Sequence, residues 1–194
     1  MTTGAQITLS ILELDAQMIV HATKLQGVFE IQPEPTYDER GFFARTWCRE
    51  EFKRHGLDSK LVQCSVSYNV KKGTLRGMHL QDSPYAEVKL VRCTRGAIYD
   101  VVVDLRISSP TFREWIGMTL TASKRNMAYV AEGCAHGFLT LEDDTEVFYQ
   151  MSEYYHPEAS KGVRWNDPAF GVVWPGEVAV ISERDRTLPD FEYK

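Results

Sequence analysis

Alternation with a period of two runs through most of this chain, and it limits the folds available to it. In Ala97–Leu105, Tyr99, Val101, Val103 and Leu105 fall on one face, with Asp100 and Asp104 on the other. That is the spacing of a β-strand. Trp115–Leu120 repeats it with Ile116, Met118 and Leu120, and Thr145–Met151 with Thr145, Val147, Tyr149 and Met151. Shorter runs of the same kind lie at Gly27–Gln32, Met127–Val130 and His136–Leu141. Turn-forming residues separate them at Asp38–Gly41, Lys71–Gly73, Ser108–Pro110 and Glu142–Asp144. One short helix is expected, Glu50–His55, stopped by Gly56. So many short strands with so little helix imply a sandwich or a barrel.

The 194 residues read as one domain, 1–194, with neither linker nor internal repeat. Residues 1–26 have no clear period and read as an N-terminal extension available to pair with a partner subunit. A net charge of -5 argues against nucleic acid as a partner, so any anion must be held by a local group of cations. Glu13 and Asp15 interrupt Ile11, Leu12 and Leu14, which excludes a signal peptide or a membrane span and points to the cytoplasm. Cys48, Cys64, Cys93 and Cys134 form no CxxC and have apolar or aromatic neighbours. They are expected to be buried free thiols rather than disulfides or zinc ligands.

The stretch Gly73–Gln81 carries the most chemistry. Arg76 and His79 place a fixed cation and a titratable base in one strand, an uncommon use of an otherwise apolar sheet. Strict alternation would put them on opposite faces, so both reach one cavity only if the strand bulges, with Gly77 the natural place. Lys89, in the apolar run Val88–Arg92, could stabilise an oxyanion, or simply extend along a sheet edge. Tyr149 could exchange a proton if desolvated, or be an ordinary core tyrosine. His136 lies close to Gly133 and Gly137, which allow a ligand near the backbone. Two histidines on separate strands raise the question of a metal, but Gln81 leaves the first motif with one imidazole, and a tight site needs three ligands or more. Arg40, Arg184 and Asp185 read equally well as surface charges.

The order of these pieces resembles the dTDP-4-dehydrorhamnose 3,5-epimerase family, from about residue 27 to 189. The resemblance is carried by Asp38–Phe43, Gly73–His79, Lys89–Arg92, Val103–Arg106, Ser109–Phe112, Ala135–Phe138, Tyr154–Tyr155, Arg164–Pro168 and Ser182–Asp185. It implies an all-β, cupin-type double-stranded β-helix (jelly roll) with a few short helices. It also implies a homodimer with exchanged N-terminal strands, no metal or organic cofactor, and a nucleotide-diphosphate sugar as substrate. By position, His79 is the implied general base beside a 4-keto group, Asp185 its orienting carboxylate, Lys89 the enolate stabiliser and Tyr149 the acid on the opposite face. Arg40 and Arg76 are implied to hold the pyrophosphate, with Phe43, Gln63 and His136 also lining the site.

Four positions depart from the family's usual residues: Arg45, Ser65, Glu87 and Gln150. An Arg45–Glu87 pair would be a compensating change. Three other readings predict different behaviour: a cupin that migrates the keto group, a metal-dependent cupin, and a binding module without turnover.

Overall fold

The computed structural model describes residues 17–192. The chain opens with β1 (Met18–Ala22) and β2 (Phe29–Pro33), then a hairpin of β3 (Thr36–Asp38) and β4 (Gly41–Phe43), then α1 (Arg49–Arg54). There follow β5 (Gln63–Asn69), β6 (Thr74–Gln81), β7 (Lys89–Arg95), β8 (Ala97–Asp104), β9 (Trp115–Thr121) and β10 (Met127–Val130). Next are β11 (Cys134–Thr140), β12 (Thr145–Met151), β13 (Ser160–Gly162), β14 (Val180–Ile181) and α2 (Glu183–Arg186). The strands build two large sheets. One runs β1-β2-β10-β7-β12-β5; the other runs β13-β6-β11-β8-β9, with β14 added beside β6. The expected β-rich fold with few short helices is present.

The main core lies between the sheets. Val91, Ala128 and Val147 of the first pack with Ile98, Val102 and Phe138 of the second. The second sheet is covered on its other face too, where Met78, Leu80, Val101 and Val103 meet Val163, Phe170 and Trp174. This corrects a simple reading of alternation in β8. Asp100 and Asp104 do lie opposite the apolar face, but both are fully buried.

The first sheet is covered only in part. Phe52 of α1 packs with Ile31, Leu90, Met127 and Tyr129. The helix falls where expected, with Glu50 and Glu51 in its first turn and Lys53 and Arg54 in its last, each complementing the helix dipole. Gly56 follows at φ +70°. Edge strand β5 is not covered in this way: Val66 and Tyr68 are exposed, while its alternate residues point inward.

Two expectations need correction. The part of the N-terminal extension that is described is not without structure, because β1 pairs antiparallel with β2 of the same chain. The remainder, residues 1–16, lies outside the described residues. All four cysteines are free, but only Cys93 and Cys134 are buried; Cys48 is half-buried and Cys64 exposed. Burial pushes the Cys93 thiol up to about 11 and the Cys134 thiol up to about 12, which leaves both inert at neutral pH.

Candidate active site

A bulge in β6 brings the first two groups together. β6 pairs with β11 so that His79 faces His136 and Arg76 faces Phe138. Two residues on β6 therefore match one on β11. Gly77 sits at the irregularity with φ +126°. A Cβ there would stand 2.5 Å from Gly137 Cα, so glycine is required on both strands. The extra residue turns Arg76 and His79 into the same cavity, as the sequence suggested.

That cavity occupies one end of the space between the sheets, as two adjoining chambers of about 260 and 330 Å³. His79, Lys89, Tyr149 and Arg184 line both. Gln63 and Ser65 enter the first; Ser67, Arg76, His136 and Asp185 enter the second. The inward residues of β5 are thus polar because they line a cavity rather than a core.

His79 Nε2 lies 2.7 Å from Asp185 Oδ1, while Gly77 N–H donates to Asp185 Oδ2 at 3.1 Å. Asp185 reaches His79 because β14 runs parallel to β6, pairing Ile181 with Leu75. Ser182 then caps α2 by accepting from Asp185 N–H at 3.1 Å. Burial acts to raise the Asp185 carboxyl, but the hydrogen bonds from His79 and Gly77 outweigh it and hold the group below the usual carboxylate range. An anionic Asp185 fixes the orientation of the ring. His79 itself is about a third exposed, toward the cavity.

Tyr149 stands on the opposite sheet. Its hydroxyl lies 3.1 Å from Ser67 Oγ, and burial pushes it up to about 12. It therefore holds its proton at neutral pH and is a donor to any stronger base formed in the cavity. Lys89 is not extended along an edge: it is mostly buried, with Nζ 2.5 Å from Glu87 Oε1. Arg76 Nε donates to Asn69 Oδ1 at 2.7 Å and Nη2 to Tyr68 O at 3.5 Å, and the side chain lines the cavity. His136 is buried deeper, with Nε2 2.6 Å from Asp100 Oδ2.

The comparisons with known proteins agree with one another. The dTDP-4-dehydrorhamnose 3,5-epimerase family profile matches residues 22–193. The chain belongs to this family. Among its relatives, the dTDP-4-dehydrorhamnose 3,5-epimerase of Methanothermobacter thermautotrophicus is 45% identical over 84% of this chain and 89% of that one. The crystal structure of the Bacillus anthracis epimerase with TDP and PPi bound superimposes with a TM-score of 0.87 at 39% identity, covering 90% of this chain and all of that one. The Legionella pneumophila epimerase, in complex with dTDP-4-keto-L-rhamnose, gives 0.84 at 33% identity, over 90% and 93% of the two chains.

Within this epimerase fold, seven of the nine residues singled out by sequence line the cavity: His79, Asp185, Lys89, Tyr149, Arg76, Gln63 and His136. Arg40 and Phe43 do not. Both sit on the exposed β3–β4 hairpin, where Arg40 is bonded to Asp38 in a tight local pair and Phe43 is 71% exposed. The expected Arg45–Glu87 pair is absent: Arg45 Nη1 donates to Glu51 at 2.7 Å, and Glu87 turns to Lys89 and Gln81. Of the other departures, Ser65 lines the cavity, whereas Gln150 faces a small crevice on the outer face beside Trp47. Arg184, which read as a surface charge, is a cavity residue that local sequence did not distinguish. Among the described residues no group of three or more His, Cys, Asp or Glu is arranged to hold a metal ion.

Proposed function

We propose that this protein is an epimerase that inverts C3 and C5 beside the 4-keto group of a dTDP-linked 4-keto-6-deoxyhexose, on a cupin-type jelly roll. The observation that carries this reading is the pairing of His79 with Asp185 on one wall, Tyr149 on the opposite wall, and Lys89 within the same cavity. A proton alpha to a ketone is weakly acidic, so a base removes it only where the enolate is stabilised as it forms. His79 takes the proton, and the Asp185 carboxylate stabilises the imidazolium. Lys89 Nζ donates to the enolate oxygen. Tyr149 returns a proton from the other face, and the stereocentre inverts. The tyrosinate that remains is reprotonated from solvent, and His79 releases its proton, before the second centre reacts.

Arg76 and Arg184 are the cations available for the pyrophosphate, which would supply binding energy remote from the reacting carbons. NMR of dTDP-4-keto-6-deoxyglucose incubated with the protein in deuterated water tests the proposal. Deuterium is expected at both C3 and C5. Entry at C3 alone would mean a single-centre enzyme; binding without exchange would sink the epimerase reading in favour of a binding module.

A homodimer accompanies this function. Tyr37, Phe42 and Phe43 of the hairpin and Val66 and Tyr68 of β5 are all exposed, an apolar surface that a second copy would cover. In such a dimer Arg40 and Phe43 serve the partner's cavity. Arg40→Ala and His79→Ala proteins should each be inactive, yet mixing and refolding them should restore about one quarter of wild-type sites, because half the dimers carry one intact site. An active Arg40→Ala protein would return Arg40 to the role of a surface charge, and two inactive proteins that do not recover on mixing would overturn its service to the partner's cavity.

A further inference from the structure

Asn69 is the last residue of β5 and is 2% exposed, yet the proposed proton transfers make no use of it. Both ends of its amide are engaged. Nδ2 donates to Thr145 O at 3.1 Å, on the paired strand β12, and to Ser67 O at 3.5 Å. Oδ1 accepts from Arg76 Nε at 2.7 Å. Exchanging the two would set the amide oxygen against two carbonyls and the NH₂ against Nε–H, so the orientation is fixed. The amide thus ties the edge strand of the first sheet to β6 of the second, beside the chamber that Arg76 lines. Both partners of the Arg76 guanidinium, Asn69 Oδ1 and Tyr68 O, are neutral. Arg45 and Arg106, by contrast, are held by the carboxylates of Glu51 and Asp104.

From this geometry we infer that Asn69 is a positioning residue: it aims the Arg76 guanidinium at the substrate's pyrophosphate and, being neutral, leaves the positive charge for that ligand. The inference rests on the reading of Arg76 as a pyrophosphate ligand. An arginine stem is long and flexible, and bidentate contact with phosphate oxygens needs its planar head held in one orientation. A carboxylate in place of the amide would also hold the head. It would offset the charge as well, and compete with phosphate oxygens for the same N–H groups. The amide oxygen takes the Nε hydrogen and adds no charge of its own.

Titration calorimetry with dTDP tests the assignment without turnover. Asn69→Ala should weaken dTDP binding about tenfold. Thymidine, which carries no phosphate, should bind the variant as it binds wild type, followed by NMR titration. In an Arg76→Ala background the same substitution should cause no further loss of dTDP affinity, since Asn69 acts through Arg76. Asn69→Asp keeps the size of the side chain and an acceptor for Nε but adds a negative charge, and should also weaken dTDP about tenfold. Unchanged dTDP affinity in Asn69→Ala, an equal loss for thymidine, or an undiminished loss in the Arg76→Ala protein would overturn the positioning role. An Asn69→Asp protein that binds dTDP as tightly as wild type would overturn the need for a neutral partner. An Arg76→Ala protein with wild-type dTDP affinity would defeat the pyrophosphate reading itself, and the inference with it.

Discussion

Two histidine–carboxylate pairs sit on neighbouring strands of this protein, and their Cα atoms are register partners. Their hydrogen bonds are nearly alike, 2.7 Å for His79–Asp185 and 2.6 Å for His136–Asp100. Their surroundings are not. The His79 side chain is 36% exposed, with Asp185 held by a second donor from Gly77; His136 is 5% exposed and Asp100 fully buried. Asp100 Oδ1 has no partner at all. A base must reach its proton and must have a carboxylate that stays charged beside it. The first pair has access to the cavity and a second donor on its carboxylate; the second is buried between β8 and β11, which it ties together. The pairing of residue types does not assign a role, whereas access and the satisfaction of the carboxylate do.

That division can be broken by exchanging the expected losses. His79→Ala should lower deuterium exchange about 10³–10⁴-fold and leave dTDP affinity within about twofold. A matching fall in affinity, followed by titration calorimetry, would mean that His79 shapes the cavity rather than acting as base. Asp185→Asn should cost about 10²–10³-fold in the same assay, because an amide neither stabilises the imidazolium nor selects the tautomer. The buried pair should respond in stability instead. His136→Ala removes the one hydrogen bond to Asp100 and should destabilise the fold by about 3 kcal/mol, measured by denaturant unfolding. An His136→Ala protein as stable as wild type would give the two pairs the same standing.

Several of these placements were legible in sequence, for reasons that differ by residue. Arg76 and His79 could be placed in one cavity because Gly77 marks where a strand can take an extra residue. Asp185 could not be connected to His79 by local spacing; β14 carries it back across β6 from 106 positions away. Its place came from the order of motifs along the chain. β5 was missed because its pattern is inverted, with Gln63, Ser65 and Ser67 inward and Val66 and Tyr68 outward. A polar cavity and an uncovered sheet face account for the inversion. Alternation in β8 predicted its faces but not their burial, since nothing local reveals that Phe170, Trp174 and Phe191 cover the far side of the second sheet.

A third buried carboxylate, Asp104, sharpens the comparison, because it lies on β8 like Asp100 but is fully satisfied. It accepts from Arg106 Nε at 2.8 Å, Arg106 Nη2 at 2.8 Å, Ser109 Oγ at 2.5 Å and Thr111 Oγ1 at 2.7 Å. Burial acts to raise it, yet these donors prevail and bring it down to about 2. A carboxyl whose folded value lies below its ordinary 3.8 stabilises the fold above that value, and loses the contribution as pH falls toward 2. The shift corresponds to about 2 kcal/mol at neutral pH. Asp104→Asn should therefore be less stable than wild type near neutrality, and the gap should narrow by about 1 kcal/mol on acidification to about pH 3. A gap that stays constant with pH would mean that Asp104 contributes through shape alone. The satisfied carboxylate would then be energetically no different from the half-satisfied one four residues before it.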